Sequence, residues 1–414
     1  MGKQSARIFY QGEDHCDVAF MDKNGYPHNH SKIYKGSKLL WKREKPKYLF
    51  LYSDRASTDD MLSAICTSDA LQTLSAFISC PDNMRYANTV TDPTAPFGAF
   101  LDVEYIFDKY FAILRVGTRI NSGSVFDNKY YVCCSDDGYE WKKIQSITFD
   151  EGNAPIALKR YVYGTSEVLV IINQTNIMFM DSGYNHRTVF NFPKTISGVF
   201  RNRAKKGVLI IDCYILYIVA HGENFTIRTF DTTDGYKYSF DNISNFSKDG
   251  TIYALKADGG YYNVLRSSDG DDWTSVKSIR VFPGDRYEGR TNIGIISVID
   301  SYLYILSIYE EKDSTVYTGR HPYIIRINLQ TGAIQEKLMG IDFGNGSYHY
   351  FVINGTIFLK QTERGEVYYI KWKDIFGEEP EETARITCQF NSPASFYSLL
   401  NIVSSDHNAD ITVW

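Results

Sequence analysis

Proline is scarce in this chain, with 11 residues in 414, and no long stretch repeats its apolar residues at a helical spacing. A chain without that spacing buries apolar side chains by strand alternation, so the class indicated is all-β. Seven cysteines, Cys16, Cys66, Cys80, Cys133, Cys134, Cys213 and Cys388, show neither a disulfide framework nor zinc spacing. They read as buried free thiols in a chain folded in a reducing cytosol. No apolar run approaches the roughly 18 residues of a membrane-crossing helix, and the polar opening, residues 1–7, is unlike a secretory signal. Positive charge is not in excess either. The formal net charge is −5, and no long basic run offers a footprint for nucleic acid or an anionic membrane. The locally basic stretch 32–47 reads as a solvated face or linker.

What is abundant is aromatic side chains, 32 Tyr and 25 Phe, which suit strands whose faces are half buried. A seven-residue pattern also recurs. Ser135-Asp136-Asp137-Gly138-Tyr139-Glu140-Trp141 and Ser267-Ser268-Asp269-Gly270-Asp271-Asp272-Trp273 both read Ser-x-Asp-Gly-x-x-Trp. A relaxed copy keeps Thr232, Asp234, Gly235 and Tyr238, and a fainter one is Asp181-Ser182-Gly183. Short oxygen-bearing side chains accept bonds from the N–H groups of a tight turn, and Gly supplies positive φ, so each copy is expected to close a hairpin beneath an aromatic lid.

These copies resemble the Asp-box, or BNR, repeat of sialidase-like β-propellers, although they are one residue shorter between Asp and Trp. The resemblance implies a propeller with these turns on its periphery, away from any active centre. The turn glycines at 138, 183, 235 and 270 are spaced by 45, 52 and 35 residues, bracketing the roughly 40–50 of a propeller blade.

Strand patterns fill the intervals. Residues 101–107, 110–116, 130–134 and 141–147 make one four-strand unit, and further strands follow at 167–173, 176–180 and 186–192. The next are 207–212, 214–220, 225–230 and 237–240, then 251–257, 261–267 and 273–279. Two more units run through 292–338 and 348–390. Stretches 48–53 and 75–79 at the start, with 397–404 and 410–414 at the end, are expected to form a composite unit closing the ring, which leaves no open sheet edge. Between them, Ser57, Thr58 and Ser68 could cap short helices, while 64–67 and 75–79 read equally as strands. The fold expected is a seven-bladed β-propeller over 45–414, with six or eight blades as alternatives, preceded by a small β module over 1–44.

That module carries its own pattern: Ile8-Phe9-Tyr10-Gln11-Gly12, Asp14-His15-Cys16-Asp17-Val18, His30, and Lys32 through Ile33, Tyr34, Lys35, Gly36, Ser37, Lys38, Leu39 and Leu40 to Trp41. It is similar to the N-terminal module of phage tail-associated proteins from Gram-positive hosts. The resemblance implies a virion tail or baseplate protein, assembled in the host cytoplasm in several copies, with residues 1–44 as its attachment end; Glu44-Lys45-Pro46-Lys47 reads as the linker that follows. Such a module is too small to bury a core alone and should dock on other virion proteins or on the propeller.

Sialidase chemistry needs an arginine cluster, a Tyr nucleophile with its Glu, and an Asp acid. The Phe/Tyr-Arg-Ile-Pro segment of that family is absent; Phe200-Arg201-Asn202 and Tyr161 near Arg160 do not supply it. Arg115, Arg228, Arg266 and Arg326 alternate with apolar neighbours, as solvent-facing strand residues do. His15, His28 and His30 are the densest metal-capable group, yet Pro27 and Asn29 favour a surface turn, so no metal and no cofactor is expected. Adjacent Cys133 and Cys134 should point to opposite faces, one packed and one exposed. Residues 340–346, although glycine-rich, lack the Lys-Ser/Thr of a phosphate loop and read as an interblade loop.

Aromatic residues near turns, with hydrogen-bonding groups close by, remain as binding candidates: Tyr236, Tyr238, Tyr261, Tyr262, Tyr287, Tyr309, Tyr317 and His321. Against this stands simple packing of tyrosines between blades. The function expected is structural and binding, toward a host surface glycan or another virion protein and without catalysis. A sialidase-like hydrolase and a purely architectural spacer are the alternatives.

Overall fold

Alternation of apolar and polar residues makes strands, and strands are what the chain forms. The structure, a computed structural model, describes the chain from 45 to 413 apart from 55–61, 69–72, 79–95, 120–125, 230–241, 281–293, 340–349, 378–384, 389–397 and gaps of one or two residues. Before residue 45 it describes four short strands. None of the described residues is helical.

Strands β1 (Phe20–Met21) and β2 (Pro27–His28) pair with each other, as do β3 (Lys32–Lys35) and β4 (Lys38–Lys42). Gln11-Gly12 lies outside the described residues. The segment read as a linker is held, not free. Pro46 is buried and its carbonyl accepts the Tyr110 hydroxyl, Lys45 pairs with Asp108 at 2.6 Å, and the Lys47 carbonyl accepts Ser404 Oγ at 2.9 Å.

From residue 48 the chain runs as four-strand antiparallel meanders. The opening strands are β5 (Tyr48–Asp54), β6 (Leu62–Ser68) and β7 (Thr73–Ile78). Then come β8 (Pro96–Ile106), β9 (Lys109–Arg119), β10 (Phe126–Ser135) and β11 (Lys142–Lys143), followed by β12 (Pro155–Tyr163), β13 (Ser166–Asn173), β14 (Asn176–Met180) and β15 (His186–Asn191). The third and fourth meanders are β16 (Val199–Lys205), β17 (Val208–Cys213), β18 (Leu216–His221) and β19 (Asn224–Thr229), then β20 (Asn242–Ile243), β21 (Ile252–Asp258), β22 (Tyr261–Ser267) and β23 (Thr274–Arg280). The last two are β24 (Gly294–Ile299), β25 (Tyr302–Asp313), β26 (Val316–Asn328) and β27 (Ile334–Leu338), then β28 (Tyr350–Ile353), β29 (Thr356–Glu363), β30 (Glu366–Trp372) and β31 (Arg385–Cys388). Strands β32 (Ser398–Ser404) and β33 (Ile411–Val413) end the described chain.

The chain is a β-propeller of six sheets, five of four strands and one of nine in the order β32-β5-β6-β7-β31-β30-β29-β28-β33. Six was among the expected blade numbers. The nine-stranded sheet contains two four-strand meanders fused by a short parallel contact, Thr387↔Thr73 and Cys388↔Leu74, so seven meanders occupy six sheets. Closure is as expected in kind: β32 pairs along β5 from Ser398↔Ser53 to Ser404↔Tyr48. It differs in membership. The fourth strand of the closing meander is β6, from the stretch where Ser68 was a candidate helix cap, whereas β33 joins the inner edge of β28.

Seven apolar clusters follow one another around the ring, each between consecutive meanders. Period-two alternation assigns neighbours on one strand to different clusters. Ile211 of β17 faces β12–β15, and Ile210 faces β20–β23. Tyrosine abundance has a reason here, because the ring is buried while its hydroxyl reaches a turn carbonyl on the next meander. Tyr161 donates to the Gly207 and Gly222 carbonyls, both at 3.0 Å, and Tyr217 to the Gly270 carbonyl at 3.2 Å.

Both full copies of the recurring turn adopt one geometry. Ser135 Oγ accepts the Gly138 N–H at 2.8 Å and donates to Asp137 at 3.1 Å, and Ser267 does the same toward Gly270 and Asp269 at 2.8 and 3.0 Å. Gly138 and Gly270 stand at φ +79° and +86°. Trp141 is buried against Phe100, and Trp273 Nε1 donates to the Gly270 carbonyl at 2.9 Å. In the fainter copy Asp181 accepts the Gly183 and Asn185 N–H groups at 2.8 and 3.0 Å, but Tyr184 rather than Gly183 takes the positive φ, +66°. The relaxed copy at Thr232, Asp234, Gly235 and Tyr238 lies outside the described residues.

Candidate functional site

The inner strands β8, β12, β16, β20, β24 and β32 lie nearest the ring axis, and the axial edge of each has no ladder partner among the described residues of its own sheet. Polar side chains bridge these edges. Asp102 of β8 accepts the Leu158 N–H of β12 at 2.7 Å, the Asn401 amide of β32 at 2.7 Å and its neighbour's Val103 N–H at 2.9 Å. Glu104 accepts the Arg160 N–H at 3.1 Å, and Asn202 of β16 donates to the Leu158 carbonyl at 2.9 Å. Burial still pushes the Asp102 carboxyl up to about 6, against the pull of its three donors.

Five inner strands carry a one-residue bulge at the same place, between Phe100 and Asp102, Pro155 and Ala157, Val199 and Arg201, Ile295 and Ser297, and Leu399 and Asn401. A bulge re-aims the chain at a rim. Three of the extra residues, Leu101, Ile156 and Leu400, line a central cavity of about 810 Å³.

That cavity is cationic within an acidic chain. Lys159, Arg160, Arg201, Arg203, Lys205, Lys206 and Lys248 line it, against Asp102, Glu104, Asp406 and Asp410. Some of these cations are engaged. Lys159 lies 3.6 Å from Glu104, Arg160 pairs with Glu167 at 2.5 Å, and Lys205 Nζ donates to the Ser247 and Lys248 carbonyls at 3.0 and 2.9 Å. Arg201 and Arg203 are two residues apart on one face of β16, Arg203 buried and Arg201 partly so, with Asp212 directly across the ladder from Arg201. Burial and the neighbouring Arg201 pull the Arg203 guanidinium down to about 9, and burial pushes Asp212 up to about 6 although both arginines oppose it. Both guanidinium groups thus act electrostatically on the one Asp212 carboxylate.

Tyr350 of β28 also feels the Arg201 charge, but burial raises its phenol well above the ordinary value.

No family model and no curated protein matches the chain. Solved structures do resemble it in outline. One is a protein from Lactobacillus plantarum, at TM-score 0.48 and 9% identity over 89% of this chain and 99% of that one. Another is the β-propeller domain of the Trilobed protease from Pyrococcus furiosus, at 0.36 and 8% over 69% and 82%. A third is the endosialidase of phage phi92, at 0.35 and 12% over 78% and 59%.

Of the aromatic residues singled out in sequence, the side chains of Tyr261, Tyr262 and His321 are described, and none of the three lines the cavity. Tyr236, Tyr238 and Tyr287 lie outside the described residues. Tyr261 opens β22 and is 50% exposed, while its neighbour Tyr262 packs against the β21–β26 cluster. In the β25–β26 ladder Tyr309 is in register with His321 and Tyr317 with Lys312. His28 pairs with Phe20 in β2, and His15 and His30 lie outside the described residues, among which no metal-capable group of three occurs.

Of the strand arginines, Arg266 is exposed as expected, whereas Arg326 stacks on Tyr302 and Phe376 at 4.8 and 4.2 Å. Cys133 is buried, and Cys134 is partly buried with Sγ 3.7 Å from the Tyr184 hydroxyl. The glycine-rich 340–346 lies outside the described residues. What sequence reading missed is the inner strands β12 and β16, where Lys159, Arg160, Arg201, Arg203 and Lys205 interrupt the apolar pattern. The triads Phe100-Leu101-Asp102, Val199-Phe200-Arg201, Ile295-Ile296-Ser297 and Leu399-Leu400-Asn401 were the available signal, two apolar residues and then a polar one at four of the five bulges.

Proposed function

We propose that this protein is a binding propeller of a virion tail or baseplate, present in several copies, and that its central cavity takes an anionic group of a host surface glycan or of another virion protein. The observation that carries the binding reading is the lysine and arginine lining of the cavity, with Arg201 and Arg203 side by side and one carboxylate across from them. The virion reading is supported by the residue pattern in 8–41, and residues 1–44 are its attachment end. No cofactor enters this reading.

Calorimetric titration of the purified chain with a phosphate-bearing wall polymer and with a neutral glucan tests it. Binding of the first alone, weakened as salt rises and reduced about tenfold or more by Arg203→Gln, is the expected outcome. Equal binding of both, or of neither, sinks the anion reading. Mass spectrometry of the supernatant separates recognition from catalysis, since sugar release at enzymatic rates would establish the hydrolase alternative.

A further inference from the structure

The strand that closes the ring is not the last to enter it. After β32, the chain turns through Ser405 to Ala409, where the Asp406 N–H donates to Ser404 Oγ at 3.0 Å and the Ala409 N–H to the Asp406 carbonyl at 3.0 Å. It then lays β33 along the axial edge of β28, with Ile411 opposite Ile353, Thr412 opposite Val352 and Val413 opposite Phe351. Since β28 is itself an inner strand, β33 lies inside the ring of inner strands, and residues 406–413 line the central cavity.

Asp410 leads this strap. Its carbonyl accepts the Asn354 N–H at 2.8 Å and its own N–H donates to Asn354 Oδ1 at 2.9 Å. Its carboxyl group is partly buried, and the charges of Lys248 and Lys205 act on it against the upward push of burial. We propose that the strap 405–413 is an internal competitor for the cavity, in which the Asp410 carboxylate holds the place beside Lys205 and Lys248 that the anionic group of a ligand takes. This rests on the anion-binding reading given above.

Two further observations make the strap a separable piece. Its ladder is three residue pairs long, whereas β32 is paired with β5 from Ser398 to Ser404, so releasing the strap leaves the ring shut. The Thr412 hydroxyl is buried yet finds no hydrogen-bond partner among the described residues, a cost to seating the strap that its release removes. A ligand that binds only the vacated cavity has its apparent affinity lowered by the fraction of molecules with the strap seated.

The test compares the full chain with a chain stopped after Ser405, using inorganic pyrophosphate as the titrant and circular dichroism to confirm that both are folded. Pyrophosphate is expected to bind the shortened chain about tenfold more tightly, the factor for a strap seated roughly nine-tenths of the time. Asp410→Asn in the full chain is expected to move in the same direction by a smaller factor. A second variant, Ile353→Cys with Ile411→Cys, locks the strap when oxidised, and binding is expected to fall on oxidation and to return with reductant. Equal affinity of the full and shortened chains, or, should the shortened chain not fold, binding unchanged between locked and reduced forms, overturns the strap while leaving the anion reading standing. Failure of both chains to bind pyrophosphate and the wall polymer overturns the two together.

Discussion

At the scale of single residues, the decisive feature is acidic groups placed where water is scarce. Asp102 and Asp212 both have carboxyl groups raised by burial to about 6 from an ordinary 3.8. For an acid raised in the folded state, the native form binds more protons than the unfolded chain, so the stabilisation is fully present below about 4 and is lost as pH rises through 6. Between pH 7.5 and 5 each group therefore contributes roughly 1–1.5 kcal/mol toward greater stability in the more acidic buffer. Thermal unfolding followed by fluorescence should show the midpoint rising over that interval, and Asp212→Asn should flatten the rise. A midpoint that falls steadily from pH 7.5 to 5 would contradict the assignment of these two carboxyl groups as buried.

At the scale of elements, the hairpin corner shows how a local motif serves a distant contact. A Cβ added at Gly270 would lie 3.1 Å from Ile210 Cδ1 and 3.3 Å from Val219 Cγ2, on the preceding meander, and the residue stands at φ +86°. Gly332 shares a positive φ, +71°, but a Cβ there meets nothing within 4 Å. Gly270→Ala should therefore cost about 2–3 kcal/mol, combining backbone strain with displacement of the neighbouring meander, while Gly332→Ala should cost only about 1. Urea titration of the two variants checks the order, and equal losses would show that the corner does not dock.

Such corners were legible in sequence because Ser, Asp and Gly have strong local preferences that packing does not override. The second and third strands of most meanders were legible too, being buried on both faces. Strands β12 and β16 were not, since residues that face the axis are polar, and a polar residue at every second position looks like a surface. The same blindness hid the cavity. Arg201 and Arg203 are unremarkable in one dimension and become a site only when β16 is set against β8, β12 and β32. Binding tyrosines were sought near loops, whereas the described tyrosines mostly serve the packing between meanders.

At the scale of the whole molecule, the ring depends on one strand. A chain stopped at 397 lacks β32, leaving β5 without its inner partner and separating the clusters that contain Leu399, Ile402 and Val403 from their neighbours. It should lose its cooperative unfolding transition by calorimetry and associate through the exposed edge on size-exclusion chromatography. A chain stopped at 405 should keep the transition. If both behave alike, the closure is misassigned.

Because Ser398 lies against Ser53, the inner edge of the first propeller strand, β5, must wait for β32. At about 5–20 residues per second, a ribosome needs on the order of 20–70 s to travel between the two, and for all of that time one edge of β5 is unmatched. The interval is the same at every copy number, so crowded synthesis of many chains puts one molecule's waiting strand within reach of another's arriving one.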